Sequence, residues 1–505
     1  MRTRRPVVTL WVVCICLLAV LHFVHLQADF PNYSRWMDWS KYTDEGWYAN
    51  AAIQHFLRGH WYVPGDLNTV AAVPVWPVIL WMLFHFTGVS MLAARALVGV
   101  LFCCNLGLSY LFIRKEQPQW TALLTCSLIA TSSFLWCFSR LAILEPLLIC
   151  LTLMALLVGR RIGELDASKK RRSAAVVLGV LLCLMILTKT TAVFLIPAVL
   201  YSTWHPLRTR PRAALTCLGI SGVVAVSLWL LYFFAWVHPH LLADYQYFFK
   251  MNVYAKPHRW RGWLRVVGNV LRATFWIGRP LVWAFIILGL STIVLARRTW
   301  TSPAFGSSCV AIGGYLLFII HINNAQPRYY AVIAFFLIFA TSIALRELVQ
   351  VRKLLGIALL VLCMIGMGKG LWEIGGYILY PEYTFVNAAK GIVSYVDRHP
   401  NGNRLVVSVS GNDLSLMTGL PSVCDEFGTM PLREKIALYK PGWYAAWDDL
   451  DPALLADLRS QYSVEAVAAF NAFDDDDRDT LVLYKLMPAR PGTSYYKNEI
   501  YHQMP

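Results

Sequence analysis

Four short stretches of the sequence carry side chains able to do chemistry beside a membrane. In Tyr42-Thr43-Asp44-Glu45-Gly46-Trp47-Tyr48, two carboxylates stand where a helix begins, and apolar residues continue through Ile53 and Phe56. A carboxylate at a helix N-terminus can be held ionised and aimed, which suits a general base; an ordinary cap by Thr43 or Asp44 is the plainer reading. In Arg140-Leu141-Ala142-Ile143-Leu144-Glu145, the acid borders an apolar helix. An unpaired charge there costs on the order of a few kcal/mol, so Glu145 is either a functional group or the partner of Arg140 in a local ion pair. Lys189, between Thr188 and Thr190, is a cation in an apolar hairpin that either serves a site or snorkels to headgroups. Finally, Pro327-Arg328-Tyr329-Tyr330 opens another apolar run, where Arg328 and its tyrosines can grip a phosphate or anchor a helix end.

Composition says what must position these groups. Of 505 residues, 57% are hydrophobic and 15% charged, too few charges for a large soluble enzyme. The formal net charge of +16 divides unevenly: residues 1–380 hold 34 basic and 12 acidic residues, and residues 381–505 hold 11 and 17. The expected architecture is a polytopic α-helical membrane domain over 1–380, with a small α/β soluble domain over 381–505.

Apolar runs at 7–26, 92–113, 119–138, 143–159, 174–188, 191–204, 214–236, 281–296, 304–320, 329–346 and 354–376 give about 11 spans. Alternation from a cytoplasmic Met-Arg-Thr-Arg-Arg start makes every inner connection basic, including Lys169–Arg172. The soluble domain is then extracytoplasmic. Residues 74–86 are left out of the count as an interfacial or re-entrant helix. The basic connection 237–280, with Lys250, Lys256, Arg259, Arg261, Arg265, Arg272 and Arg279 against Asp244, falls outside, on anionic headgroups or an anionic substrate.

This topology sorts the 12 membrane-domain carboxylates. Glu116, Glu164, Asp166 and Glu347 fall inside beside basic partners, whereas Asp29, Asp38, Asp44, Glu45, Asp66, Glu145, Asp244 and Glu373 fall outside. Five of these eight lie in loop 27–73, with Trp36, Trp39, Tyr42, Trp47, Tyr48, Trp61 and Tyr62, an interface belt or a set of sugar platforms. Asp44 and Glu145 are expected to face one space.

As a set, Asp44-Glu45-x-x-Tyr48, Arg140-x4-Glu145, Thr188-Lys189 and Pro327-Arg328-Tyr329 resemble the GT-C superfamily of membrane glycosyltransferases, nearest its ArnT-like and protein O-mannosyltransferase-like branches. The resemblance covers about residues 1–380. It implies an inverting hexosyl or pentosyl transferase of the cell envelope, with a polyprenyl-phosphate sugar as donor and a lipid, glycan or protein hydroxyl as acceptor. The reaction would occur on the non-cytoplasmic face, in a bacterial inner membrane. The catalytic residues would be Asp44, with Glu45 as its stand-in, and Glu145, an acid that is more often Asp in this superfamily. Substrate binding would fall to Tyr48, Arg140, Lys189, Arg328 and Tyr329. No cofactor is certain, and a divalent metal has no Asp-x-Asp motif in the first loop to support it.

In residues 381–505, helices are expected at 387–399 and 452–460, the second capped by Asp451, and strands at 405–410, 464–470 and 480–486. Nothing there specifies chemistry: Asp474–Asp477 reads as a solvated turn, and Cys424 has no second cysteine in the domain. A transporter or lipid flippase is the rival reading for buried charges such as Lys189 and Glu145, though no inverted repeat is apparent.

Overall fold

The computed structural model describes residues 4–30, 38–251, 259–322, 326–460, 462–473 and 478–488. Trp36, Lys256 and Asp474–Asp477 lie outside these residues.

Each of the eleven apolar runs forms helix. The helices in the membrane part are α1 (Arg4–Val20), α2 (Asp44–Arg58), α3 (Val75–Thr87), α4 (Met91–Arg114), α5 (Gln119–Ala130), α6 (Ser133–Phe138), α7 (Glu145–Glu164), α8 (Ser168–Thr188), α9 (Ile196–Trp204), α10 (Pro211–Tyr232), α11 (Leu242–Met251), α12 (Trp260–Ala273), α13 (Arg279–Val294), α14 (Pro303–Ile322), α15 (Tyr330–Val351) and α16 (Lys353–Leu379). Among the described residues, eight helices are long and apolar enough to cross a bilayer; α12 and α13, bent by 116° around Gly278, pass the same test only when taken together, as a broken span or a re-entrant pair. The two other expected spans are shorter: residues 119–138 divide into α5 and α6, and α9 has nine residues. The chain is a polytopic integral membrane protein.

Local sequence explains the breaks. Lys189 leaves helical geometry at φ −155°, which ends α8 and turns the chain into a 3-10 segment before α9. Pro239 lies within a π-helical stretch, Phe233–Leu241, that joins α10 to α11. Helix α15 is the centre of the bundle, with almost every side chain from Tyr330 to Leu345 buried.

Beyond α16 the chain builds α17 (Thr384–Arg398), α18 (Gly411–Thr418), α19 (Leu432–Tyr439) and α20 (Pro452–Arg459) around a five-stranded sheet. Its strands are β1 (Val406–Val407), β2 (Ser422–Val423), β3 (Trp443–Trp447), β4 (Tyr462–Asn471) and β5 (Thr480–Pro488). The order is β2-β1-β3-β5-β4, with β2, β1 and β3 parallel and the last two pairings antiparallel. Asp451 caps α20 through Ala453 N and Leu454 N. The strand expected at 405–410 shrinks to two paired residues, because Gly411 already opens α18.

Candidate active site

Helix α2 begins at Asp44, with Thr43 at its N-cap, but the Thr43 hydroxyl donates to Trp39 O instead of capping the helix. Successive helical residues point about 100° apart, so the two acids of the first turn serve different surroundings. Both are buried.

Asp44 turns toward the start of α15. Its Oδ2 lies 3.0 Å from Arg328 Nη2. Asp38 holds the same arginine from two sides: Arg328 N donates to Asp38 Oδ2 at 2.8 Å, and the guanidinium pairs with Asp38 Oδ1. Asp38 stays in place because its Oδ1 also caps the 3-10 turn Trp39–Lys41 through Ser40 N. Arg328 lies over the Tyr329 ring, 5.0 Å from its centroid, and Lys189 lies 4.9 Å from the same centroid. Lys189 Nζ then donates to Glu145 Oε1 at 2.5 Å.

The result is one connected set of groups, from Asp38 and Asp44 through Arg328, Tyr329 and Lys189 to Glu145. Burial pushes the Asp44 carboxyl up to about 6; the Arg328 charge opposes this, and the like charges of Asp38 and Glu145 add to it. Burial likewise raises the Tyr48 hydroxyl well above its usual range, with the Asp44 charge adding to the effect, which places this tyrosine in the same field. Some of the set's bonding capacity is unused: Glu145 Oε2 and Arg328 Nε are buried without a hydrogen bond. Buried polar atoms of this kind are where an incoming polar ligand gains most.

Glu45 is built differently. Arg95 grips it in a fork, Nε to Oε1 at 2.8 Å and Nη2 to Oε2 at 2.5 Å, and Ala142 N donates to Oε1 at 2.7 Å. Arg95 Nη1 binds Leu26 O and Ala28 O. One buried ion pair therefore fastens α2 to α4, to the end of the first span and to the 140–145 turn.

The Arg140–Glu145 partnership is not formed. The Arg140 guanidinium donates to Val24 O and His25 O and lies over the Trp136 ring at 3.9 Å, while Glu145 takes Lys189 instead. Their separation explains this: Arg140 precedes a tight turn, whereas Glu145 starts α7 with Pro146 behind it, so the side chains leave in different directions. Lys189 does not snorkel; it is buried. Glu145 lines a small space with Asn105, Ser139, Pro146 and Phe335, and Asp44 is not among the lining residues. Asp44 and Glu145 are linked through Arg328, the Tyr329 ring and Lys189.

These features sit in a known frame. Residues 71–235 match the family model described as dolichyl-phosphate-mannose-protein mannosyltransferase. The structure of ArnT from Cupriavidus metallidurans bound to undecaprenyl phosphate matches with a TM-score of 0.64 at 15% identity, over 94% of this chain and 98% of that one. The fold is that of the GT-C superfamily. Its oligosaccharyltransferase branch is also similar: the Archaeoglobus fulgidus enzyme in complex with Zn and sulfate matches with a TM-score of 0.51 at 12% identity, over 86% of this chain and 67% of that one. No curated protein sequence matches the chain.

Within this GT-C frame, three site residues lie outside the set picked from sequence. Arg95 sits four residues after the N-terminus of a membrane helix, and its cost in an apolar run was a readable signal. Asp38 was one of eight outer acids with no spacing to single it out. Asp413 comes from α18: it accepts from Gly46 N at 3.2 Å, and burial, with the like charge of Glu45, raises its carboxyl well above the usual range. Among the described residues, no group of three or more His, Cys, Asp or Glu is placed to hold a metal ion.

Proposed function

We propose that the chain is an inverting glycosyltransferase that moves a sugar from a polyprenyl-phosphate carrier to an acceptor hydroxyl on the non-cytoplasmic membrane face. The observation that carries this reading is the connected set of Asp38, Asp44, Arg328, Tyr329, Lys189 and Glu145. It puts a carboxylate with a raised pKa beside two buried cations at one end of a GT-C bundle.

Asp44 takes the proton of the acceptor hydroxyl as that oxygen attacks the anomeric carbon. The carbon–oxygen bond to the carrier breaks, and its electron pair leaves on the lipid phosphate. Arg328 and Lys189 meet the charge that grows there. Glu145 holds Lys189, Asp38 holds Arg328, and the Glu45–Arg95 fork fixes the base of α2. Arg140 acts at a distance, by tying the 140–145 turn to residues 24–25. The undecaprenyl phosphate in the ArnT structure supports a lipid-phosphate donor for this chain as well.

The test is purified protein in liposomes with radiolabelled polyprenyl-phosphate sugars. Transfer by the wild type, lost in Asp44→Asn with donor binding kept, is the expected result. Near-wild-type turnover in that variant would sink the assignment of the base, and net sugar transport without transfer would sink the enzyme reading.

A further inference from the structure

Helix α12 (Trp260–Ala273) carries its side chains in three lengthwise stripes. Val266, Val270 and Ala273 recur at helical spacing and are buried against the bundle. Trp260, Leu264 and Leu271 form a second apolar stripe that is 74%, 53% and 51% exposed. Arg261, Arg265 and Arg272 each follow one of these by a single residue, which sets them about 100° further round the axis. All three arginines are exposed, the helix contains no acid, and among the described residues none of the three is in an ion pair.

The break after α12 fixes its attitude. Gly278, at φ 127°, lets the chain turn, and the axes on either side are bent by 116°. If α13 crosses the bilayer, α12 lies closer to the membrane plane than to its normal. The exposed apolar stripe then enters the acyl boundary, with the arginines a quarter-turn away at phosphate depth.

We propose that this arginine row is a binding surface for the anionic phospholipids of the surrounding bilayer. The occupant is bulk membrane lipid and not the sugar carrier, for two reasons. From Arg261 to Arg272 the row is about 16 Å long at 1.5 Å per residue, which suits several headgroups and not one phosphate. It also points away from the face that packs on the bundle, whereas the carrier's proposed cations, Lys189 and Arg328, are buried. The row is connected to the site all the same: Tyr330 OH donates to Val270 O at 2.8 Å, and Trp276 meets the Tyr330 ring edge-on at 5.4 Å, one residue along from Tyr329. An effect of lipid on transfer would rest on the glycosyltransferase reading; the binding itself does not.

The experiment measures lipid retention by the full chain in neutral detergent, by native mass spectrometry with phosphatidylglycerol and phosphatidylcholine. The wild type should prefer phosphatidylglycerol, and the triple variant R261Q/R265Q/R272Q should lose that preference by on the order of 10–100-fold. R261K/R265K/R272K should keep most of it, and 0.5 M salt should weaken it in the wild type. Equal phosphatidylglycerol retention by the wild type and the glutamine variant overturns the proposal. So does stoichiometric displacement of phosphatidylglycerol from the wild type by sugar-free undecaprenyl phosphate, which would make the row the carrier's own landing place.

Discussion

Asp44 and Glu45 are sequence neighbours on one helical turn, yet they belong to regions built on opposite principles. Around Glu45 both carboxylate oxygens are filled, three donors converge, and Arg95 spends its remaining donors on carbonyls. Around Asp44 the charges are near one another without filling their hydrogen-bonding capacity: its Oδ2 is ion-paired with Arg328, while Glu145 Oε2 and Arg328 Nε are buried without a hydrogen bond. A filled cluster sets a shape; an open one waits for a ligand. On the proposed reading, the chain has put a clamp and a reaction centre one residue apart.

The comparison breaks if the two acids behave alike on mutation. Asp44→Asn should lower transfer by about 10²–10⁴-fold while the unfolding midpoint holds. Glu45→Gln should instead leave Arg95 without its anion inside the protein and cost about 3–5 kcal/mol, read as a lower unfolding temperature in detergent. Lys189→Met should cost a similar amount by leaving Glu145 unpaired. Adding Glu145→Leu should restore stability without restoring transfer, which would show that this pair is kept for chemistry.

A smaller effect concerns the support behind both acids. A Cβ on Gly46 would come within 2.1 Å of Asp413 N, so Gly46→Ala should cost about 1–3 kcal/mol and reduce turnover by shifting α2 off α18. The mildest test is pH. With Asp44 pushed up to about 6, the rate should fall about tenfold per unit below pH 6 and level off above it. Because burial raises this carboxyl in the folded state, its contribution to stability is present at low pH and is lost as pH rises through about 6. Asp44→Asn should therefore flatten the pH dependence of the unfolding midpoint between about pH 4 and pH 6.

Much of the connected set around Arg328 and Lys189 was legible in the sequence because membrane context makes charge conspicuous. Lys189, Glu145 and Arg328 stand out against long apolar stretches, and the eleven runs mapped onto helices for the same reason. What was not legible depends on contacts between distant segments. Which of Arg140 and Lys189 would take Glu145 is a matter of side-chain direction after a turn, and sequence spacing could offer only the nearby Arg140 as a partner. Asp38 looked like any of its outer neighbours until Arg328 N was seen to bind it, across 290 residues. In the sheet region, β1 and β2 have only two paired residues each, too short to show a period of two, and α18 and α19 are eight-residue helices with weak patterns.

The contact between Gly46 and Asp413 also sets an order of events in biosynthesis. The two residues are 367 positions apart, so the helix that begins with Asp44 is synthesised long before the segment that braces it has left the ribosome. Until that segment arrives, α2 lacks the backbone wall against which Gly46 packs. A partly made chain can thus occupy the membrane with its carboxylates present and the candidate site unbraced until α18 has been delivered and folded.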